Sequence, residues 1–166
     1  MSYFDDSIEG FWKSFFAAAL VAPAYAIEIA LGQEALGDSL GSLRTILIHL
    51  LAYSLSWTVF PVVVHPVCQA MDRETAYVRY IVAYNWAKAI QMAIYLPVIL
   101  IVWLEILPES LALLLHTVVY VLLVFGYQWF VTRSALDIKA LPASGLVALD
   151  FMVSFVLGLL VFGMLQ

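Results

Sequence analysis

Five apolar stretches of about twenty residues, at about 14–31, 43–64, 80–104, 110–131 and 145–165, fill most of the 166-residue chain. A hydrocarbon core about 30 Å thick is crossed by roughly 20 residues of α-helix. Lipid offers no partner to an unpaired backbone amide, so segments of this kind must be helical. The expected fold is therefore all-α: one polytopic membrane domain over residues 1–166, a bundle of five transmembrane helices with short connections. Composition agrees, at 65% hydrophobic and 11% charged with a mean hydropathy of +1.02, against about 45–50% and about 25% in soluble domains.

Charge placement sets the orientation. Lys13, Arg73, Arg79, Arg133 and Lys139 fall on the side of the N-terminus, Arg44 falls on the opposite side, and Lys88 lies inside a span. Cytoplasmic loops concentrate Lys and Arg, which puts the N-terminus in the cytoplasm and the C-terminus outside. Trp12, Trp86 and Trp129 then lie toward the cytoplasmic interface and Trp103 toward the other, as aromatic belts do. The net charge of −5 is spread over loops with no cluster of Lys and Arg, which argues against nucleic acid as a partner. The expected partners are the lipid bilayer and, through helix contacts, further copies of the chain or other membrane subunits. Ala24-Tyr25-Ala26 has the small-residue look of a signal-peptide cleavage site. The preceding residues, however, include Asp5, Asp6 and Glu9 against Lys13 alone, so the positive n-region of a signal peptide is missing and the first span is expected to be retained. With no retention signal and no Asn-x-Ser/Thr acceptor, the expected location is a bacterial inner membrane.

Polar side chains within the spans locate any functional site, because in lipid they must face protein or water. Over residues 3–15, Phe4, Ile8, Phe11, Trp12 and Phe15 alternate at helical spacing with Asp5, Asp6, Glu9 and Lys13, predicting a short interfacial amphipathic helix or a flared start of span one. Ser2 and Asp5 are spaced for a capping box. In span one, Ser14, Ala18, Ala22, Ala26 and Ala30 form a ridge of small residues suited to close helix packing, and Pro23 predicts a kink. Gly37 and Gly41 have GxxxG spacing but lie in a polar loop, where the motif carries no packing meaning. Span two places Ser54, Thr58, Pro61 and His65 on one face and His49, Tyr53 and Ser56 on another. Residues 66–79 and 132–144 read as polar connections, with Cys68 an interfacial thiol in the first; a lone cysteine forms no internal disulfide. Span three carries the longest polar stripe, Tyr77, Tyr80, Tyr84, Lys88, Gln91 and Tyr95, with Asn85 on its flank. His116, Tyr120 and Tyr127 share one side of span four, and Asp150 and Ser154 one face of span five.

Depth sorts these groups into two levels. Lys88, Asn85, Tyr84, Tyr127 and Asp150 fall toward the cytoplasmic side. A charge in mid-helix costs about 2.5–3.5 kcal/mol on insertion scales, so Lys88 and Asp150 are expected to pair. With Asn85, Gln91 and Tyr84 beside them they would form a site for a lipid headgroup or a substrate carboxylate. The alternative has Lys88 snorkelling to the headgroups and Asp150 hydrated at the start of span five. Glu28, His49 and His116 fall nearer the opposite surface. Two histidines and a carboxylate are a set that can ligate zinc or pass protons, although they come from three helices without a spaced motif, and hydrogen bonding between helices is the simpler use. No GxSxG, glycine-rich phosphate loop, haem motif or quinone motif occurs, so neither an enzyme nor a cofactor is expected.

The five spans, the cytoplasmic N-terminus, the short C-terminal end, the proline-interrupted, alanine-rich first span and the tyrosine-rich third span (YIVAYNWA) together resemble the Yip family of Ypt-interacting membrane proteins. The resemblance covers nearly the whole chain and implies membrane trafficking and partner binding without enzymatic activity. The first expectation is therefore a non-enzymatic integral membrane protein acting through helix contacts, as a scaffold or accessory subunit or in membrane organisation. The second is a small proton-coupled transporter or channel component using Lys88, Asp150 and the polar stripes. A polar cavity reaching the midplane between spans two, three and five favours transport, and tight packing there favours the scaffold.

Overall fold

The computed structural model describes residues 7–35 and 43–165, and every regular element among them is helical. The elements are α1 (Ile8–Ser14), α2 (Phe16–Ala35), α3 (Leu43–Ala70), α4 (Glu74–Trp103), α5 (Glu109–Val121), a π-helical segment (Leu122–Tyr127), α6 (Gln128–Leu136) and α7 (Ala140–Leu165). Five continuous stretches, Ile8–Gly32, Leu43–Ala70, Glu74–Trp103, Glu109–Leu136 and Ala140–Leu165, are long and apolar enough to cross a membrane. The chain is thus an all-α five-helix bundle of multi-pass membrane type, and most of its large exposed apolar side chains are the surface that lipid would cover.

The helix α1 starts at Ser7, whose side chain accepts a hydrogen bond from the Gly10 amide at 3.0 Å, the usual satisfaction of a free N-terminal donor. It breaks at Phe15, whose N–H turns back to the Trp12 carbonyl. Ile8 and Trp12 point outward while Gly10 and Ser14 are buried against α4. The expected interfacial helix is therefore packed onto the bundle by its small residues. Phe4, Asp5, Asp6 and the Ser2 capping box lie outside the described residues, as do Gly37 and Gly41.

On the N-terminal face the helices run past the expected span ends. α3 continues through Pro66 to Ala70 and α4 begins at Glu74, leaving Met71-Asp72-Arg73 as the turn; α6 reaches Leu136 and α7 begins at Ala140. Asp72 and Asp137 take left-handed φ values of 56° and 50°, as short polar side chains do at helix ends. Hydropathy marks where lipid-grade sequence stops, but these helices continue because they bury one another. The main core, including Phe60, Val64, Cys68, Tyr80, Ile81, Tyr84 and Leu136, sits at this end. Arg79 donates to the Ala135 carbonyl at 2.9 Å, and the Tyr80 and Thr132 hydroxyls lie 3.3 Å apart. At the other face, Arg44 at the start of α3 donates to the Met164 carbonyl near the end of α7.

Cys68 is therefore a core residue within α3, with no exposed surface, and not an interfacial loop thiol. A maleimide probe is expected to leave it unmodified in the folded protein and to label it fully after denaturation, since buried thiols are inert. Rapid labelling of the folded protein would contradict this packing.

The buried face of span one runs through Ser14, Ala17 and Val21, with Ala18, Ala22 and Ala30 partly buried and Ala26 exposed. A strict four-residue row turns about 40° per step on a helix of 3.6 residues per turn, so the expected ridge drifts off the interface before Ala26. Where it holds, at Ala18, the backbone comes close enough for its carbonyl to accept the Tyr53 hydroxyl.

Candidate functional site

The helix α4 packs against α1, α2, α3, α5 and α6, and its polar stripe supplies a bond to nearly every neighbour. Tyr77 donates to the Pro61 carbonyl of α3 at 3.0 Å, Asn85 to Ser14 Oγ of α1 at 2.9 Å, and Tyr84 to Asp150 Oδ1 of α7 at 2.6 Å. Gln91 donates to the Leu123 carbonyl in the π-helical segment and to Gln128 Oε1, each at 3.0 Å. The Tyr95 hydroxyl lies 3.1 Å from His116 Nε2 on α5. Between helices in lipid such bonds contribute about 0.6–2 kcal/mol each, and together they define one register of the bundle.

Lys88 does not pair with Asp150. Its Nζ donates to the Ser56 carbonyl of α3 at 2.9 Å and lies 5.2 Å from the Trp57 ring centroid and 4.6 Å from that of Tyr84. Ser56 precedes Trp57, the residue whose carbonyl loses its helical partner because Pro61 has no N–H. The ammonium thus seats on backbone oxygen and aromatic faces in the turn before a proline. Asp150 takes the Tyr84 hydroxyl, so that tyrosine stands between the two expected partners. No Lys88–Asp150 ion pair forms, and the single ion pair recorded among the described residues joins Lys13 and Glu9 at 2.7 Å.

Lys88 lies 14 residues after Glu74 and 15 before Trp103, at the middle of α4. It lines a cavity of about 240 Å³ bordered by residues of the first four spans: Glu28 and Tyr25 from α2, Ser56 and Trp57 from α3, Gln91 and Tyr95 from α4, Tyr120 and the π-segment residue Leu123. Lys88 and Glu28, one from each expected level, thus line the same cavity. Because α2 runs on to Ala35 and α4 starts at Glu74, Glu28 sits deeper and Lys88 nearer the midplane than span ends drawn from hydropathy imply. Tyr25, Glu28 and Ser56 also line a second cavity of about 500 Å³, formed with His49, Gly32, Ser154 and Gly158. This second space extends the first toward the ends of α2 and α7.

Among the described residues no group of three His, Cys, Asp or Glu side chains could hold a metal. His49 shares the second cavity with Glu28, while His116 is held by Tyr95 and borders a different recess near the α4–α5 turn. In place of the zinc or relay triad, Glu28 stands between two cavities. Of the other expected site residues, Asn85 and Tyr84 are fully buried in bonds between helices and do not line the Lys88 cavity, whereas Gln91 does.

The aromatic wall and the π-helical segment go beyond what the sequence led us to expect. Tyr25 and Glu28, three apart, line the cavity together, and the face expected on span two contributes Tyr53 and Ser56 to it, with Trp57 beside them. The π segment has no sequence mark beyond Gly126. Comparison with known proteins finds no matching family model, curated protein or solved structure.

Proposed function

We propose that the chain is a small-solute transporter or channel component whose binding site is the Lys88 cavity. One observation carries the reading: a mid-membrane ammonium without an acidic partner in ion-pair contact forms part of the wall of a cavity. Intramembrane charges are retained against a cost of several kcal/mol and mark solute paths when they face a cavity. The bundle is consistent with this, with its main core at the N-terminal face and the two cavities described above running from mid-bundle toward the other face. On the positive-inside rule the packed end faces the cytoplasm of a bacterial inner membrane and the cavity-bearing half opens outward.

Helix-contact roles, including the partner docking that the Yip resemblance implies, rest on topology. Of the small residues that suggested them, Ser14 is buried within the chain and Ala18, Ala22 and Ala30 are partly buried, while Ala26 is exposed.

The test is a titration of the detergent-purified protein with propionate, read by tryptophan fluorescence, since Trp57 lies beside Lys88. A saturable change is expected in the wild type and none in Lys88→Met, which should still fold because an apolar chain of similar volume replaces a buried charge at little or no cost. Equal titrations of both proteins would remove the site.

A further inference from the structure

The cavity that Lys88 lines also carries an acid: Glu28 lines it, with Tyr25, Tyr53, Tyr95 and Tyr120. The four rings form two pairs, Tyr25 with Tyr53 at 4.7 Å between centroids and Tyr95 with Tyr120 at 6.0 Å. The hydroxyl of Tyr53 donates to the Ala18 carbonyl, and that of Tyr95 lies 3.1 Å from His116 Nε2. A carboxylate among aromatic rings is the recognised chemistry for an alkylated ammonium, through charge and cation–π attraction. Glu28 and Lys88 make no ion pair with each other; the cavity holds the two charges apart.

We propose that this site takes a small zwitterion of the betaine type, its carboxylate at Lys88 and its alkylated ammonium among Glu28 and the four tyrosines. The proposal rests on the Lys88 cavity being the binding site. Two features support it over a singly charged solute. The cavity carries two opposite charges, Lys88 and Glu28, that make no ion pair with each other. Five aromatic side chains, Tyr25, Tyr53, Trp57, Tyr95 and Tyr120, line it with them, the surface that an alkylated ammonium needs.

The experiment is calorimetric titration of the full chain in nanodiscs with four probes: glycine betaine, 4-(trimethylammonio)butyrate, propionate and tetramethylammonium. At least one zwitterion should bind about ten-fold or more tightly than propionate, the size of effect a desolvated cation–π and carboxylate contact supplies. Glu28→Gln should bring zwitterion affinity down to that of propionate and leave propionate itself unchanged, and Glu28→Asp should restore part of the difference. Zwitterions that bind no better than propionate, or that ignore Glu28→Gln, would overturn the inference while propionate binding that depends on Lys88 upholds the site. No binding of any probe to the wild type would overturn both. Should Glu28→Gln fail to fold, the wild-type ranking of the four probes decides, with Tyr120→Leu expected to weaken only the zwitterions and tetramethylammonium.

Discussion

Tyr84→Phe is expected to destabilise the bundle by about 2 kcal/mol, within the range for a hydrogen bond to a charged group. The substitution is selective. The ring remains stacked on Phe60 at 4.7 Å between centroids and beneath Lys88 at 4.6 Å. What disappears is the 2.6 Å bond to Asp150, leaving a half-buried carboxylate without its donor in a region where little water can replace it. Removing one partner costs more than removing both. In an Asp150→Leu background the same Tyr84→Phe change should therefore cost less than about 0.5 kcal/mol. Equilibrium unfolding in mixed detergent measures all four corners of this cycle. An equal cost in both backgrounds would show that the hydroxyl and the carboxylate are not coupled.

Ser14→Leu should cost more, about 3 kcal/mol or above. Ser14 has no exposed surface, and its Oγ donates to the Phe11 carbonyl at 2.7 Å while accepting from Asn85 Nδ2 at 2.9 Å. Forcing three further carbons into this contact costs about 1–3 kcal/mol by overpacking. It also strands Asn85, which is fully buried and whose Oδ1 already has no partner, at a further cost of about 1–3 kcal/mol. Ser14→Ala, which loses the bonds without the clash, should fall near the lower figure. Hydrogen exchange locates the damage: the amides of Ile8–Ser14 should lose protection first, because α1 is held by its contact with α4. If Ser14→Leu and Ser14→Ala prove equally stable, α1 is not seated on α4 through this serine.

Much of the architecture was legible because lipid imposes it. A segment that must satisfy its own backbone and shed its charges has a narrow choice of form, so five spans and the all-α class follow from hydropathy. The stripe on span three was legible for the same reason: Tyr77, Tyr80, Tyr84, Lys88, Gln91 and Tyr95 recur at helical spacing, and α4 is indeed the helix on which the bundle is assembled. Helix ends were not legible where burial by other helices, and not lipid, keeps the chain helical, which is why residues 66–70, 74–79, 132–136 and 140–144 were expected as connections.

Spacing along a helix determined which polar groups share a face, and the apolar surroundings of Lys88, Asp150, Glu28 and Gln91 marked them as residues that need protein or water. Partner choice was left to tertiary packing. Opposite charges at similar depth suggested Lys88 with Asp150, yet the ammonium took a main-chain oxygen near Pro61 and the carboxylate took the Tyr84 hydroxyl. Backbone carbonyls at proline and π-helical turns are acceptors that no residue name announces. The junction of Lys88 and Glu28 in one cavity likewise depends on how four helices tilt and where each one ends, a property of the assembled bundle and of no single segment.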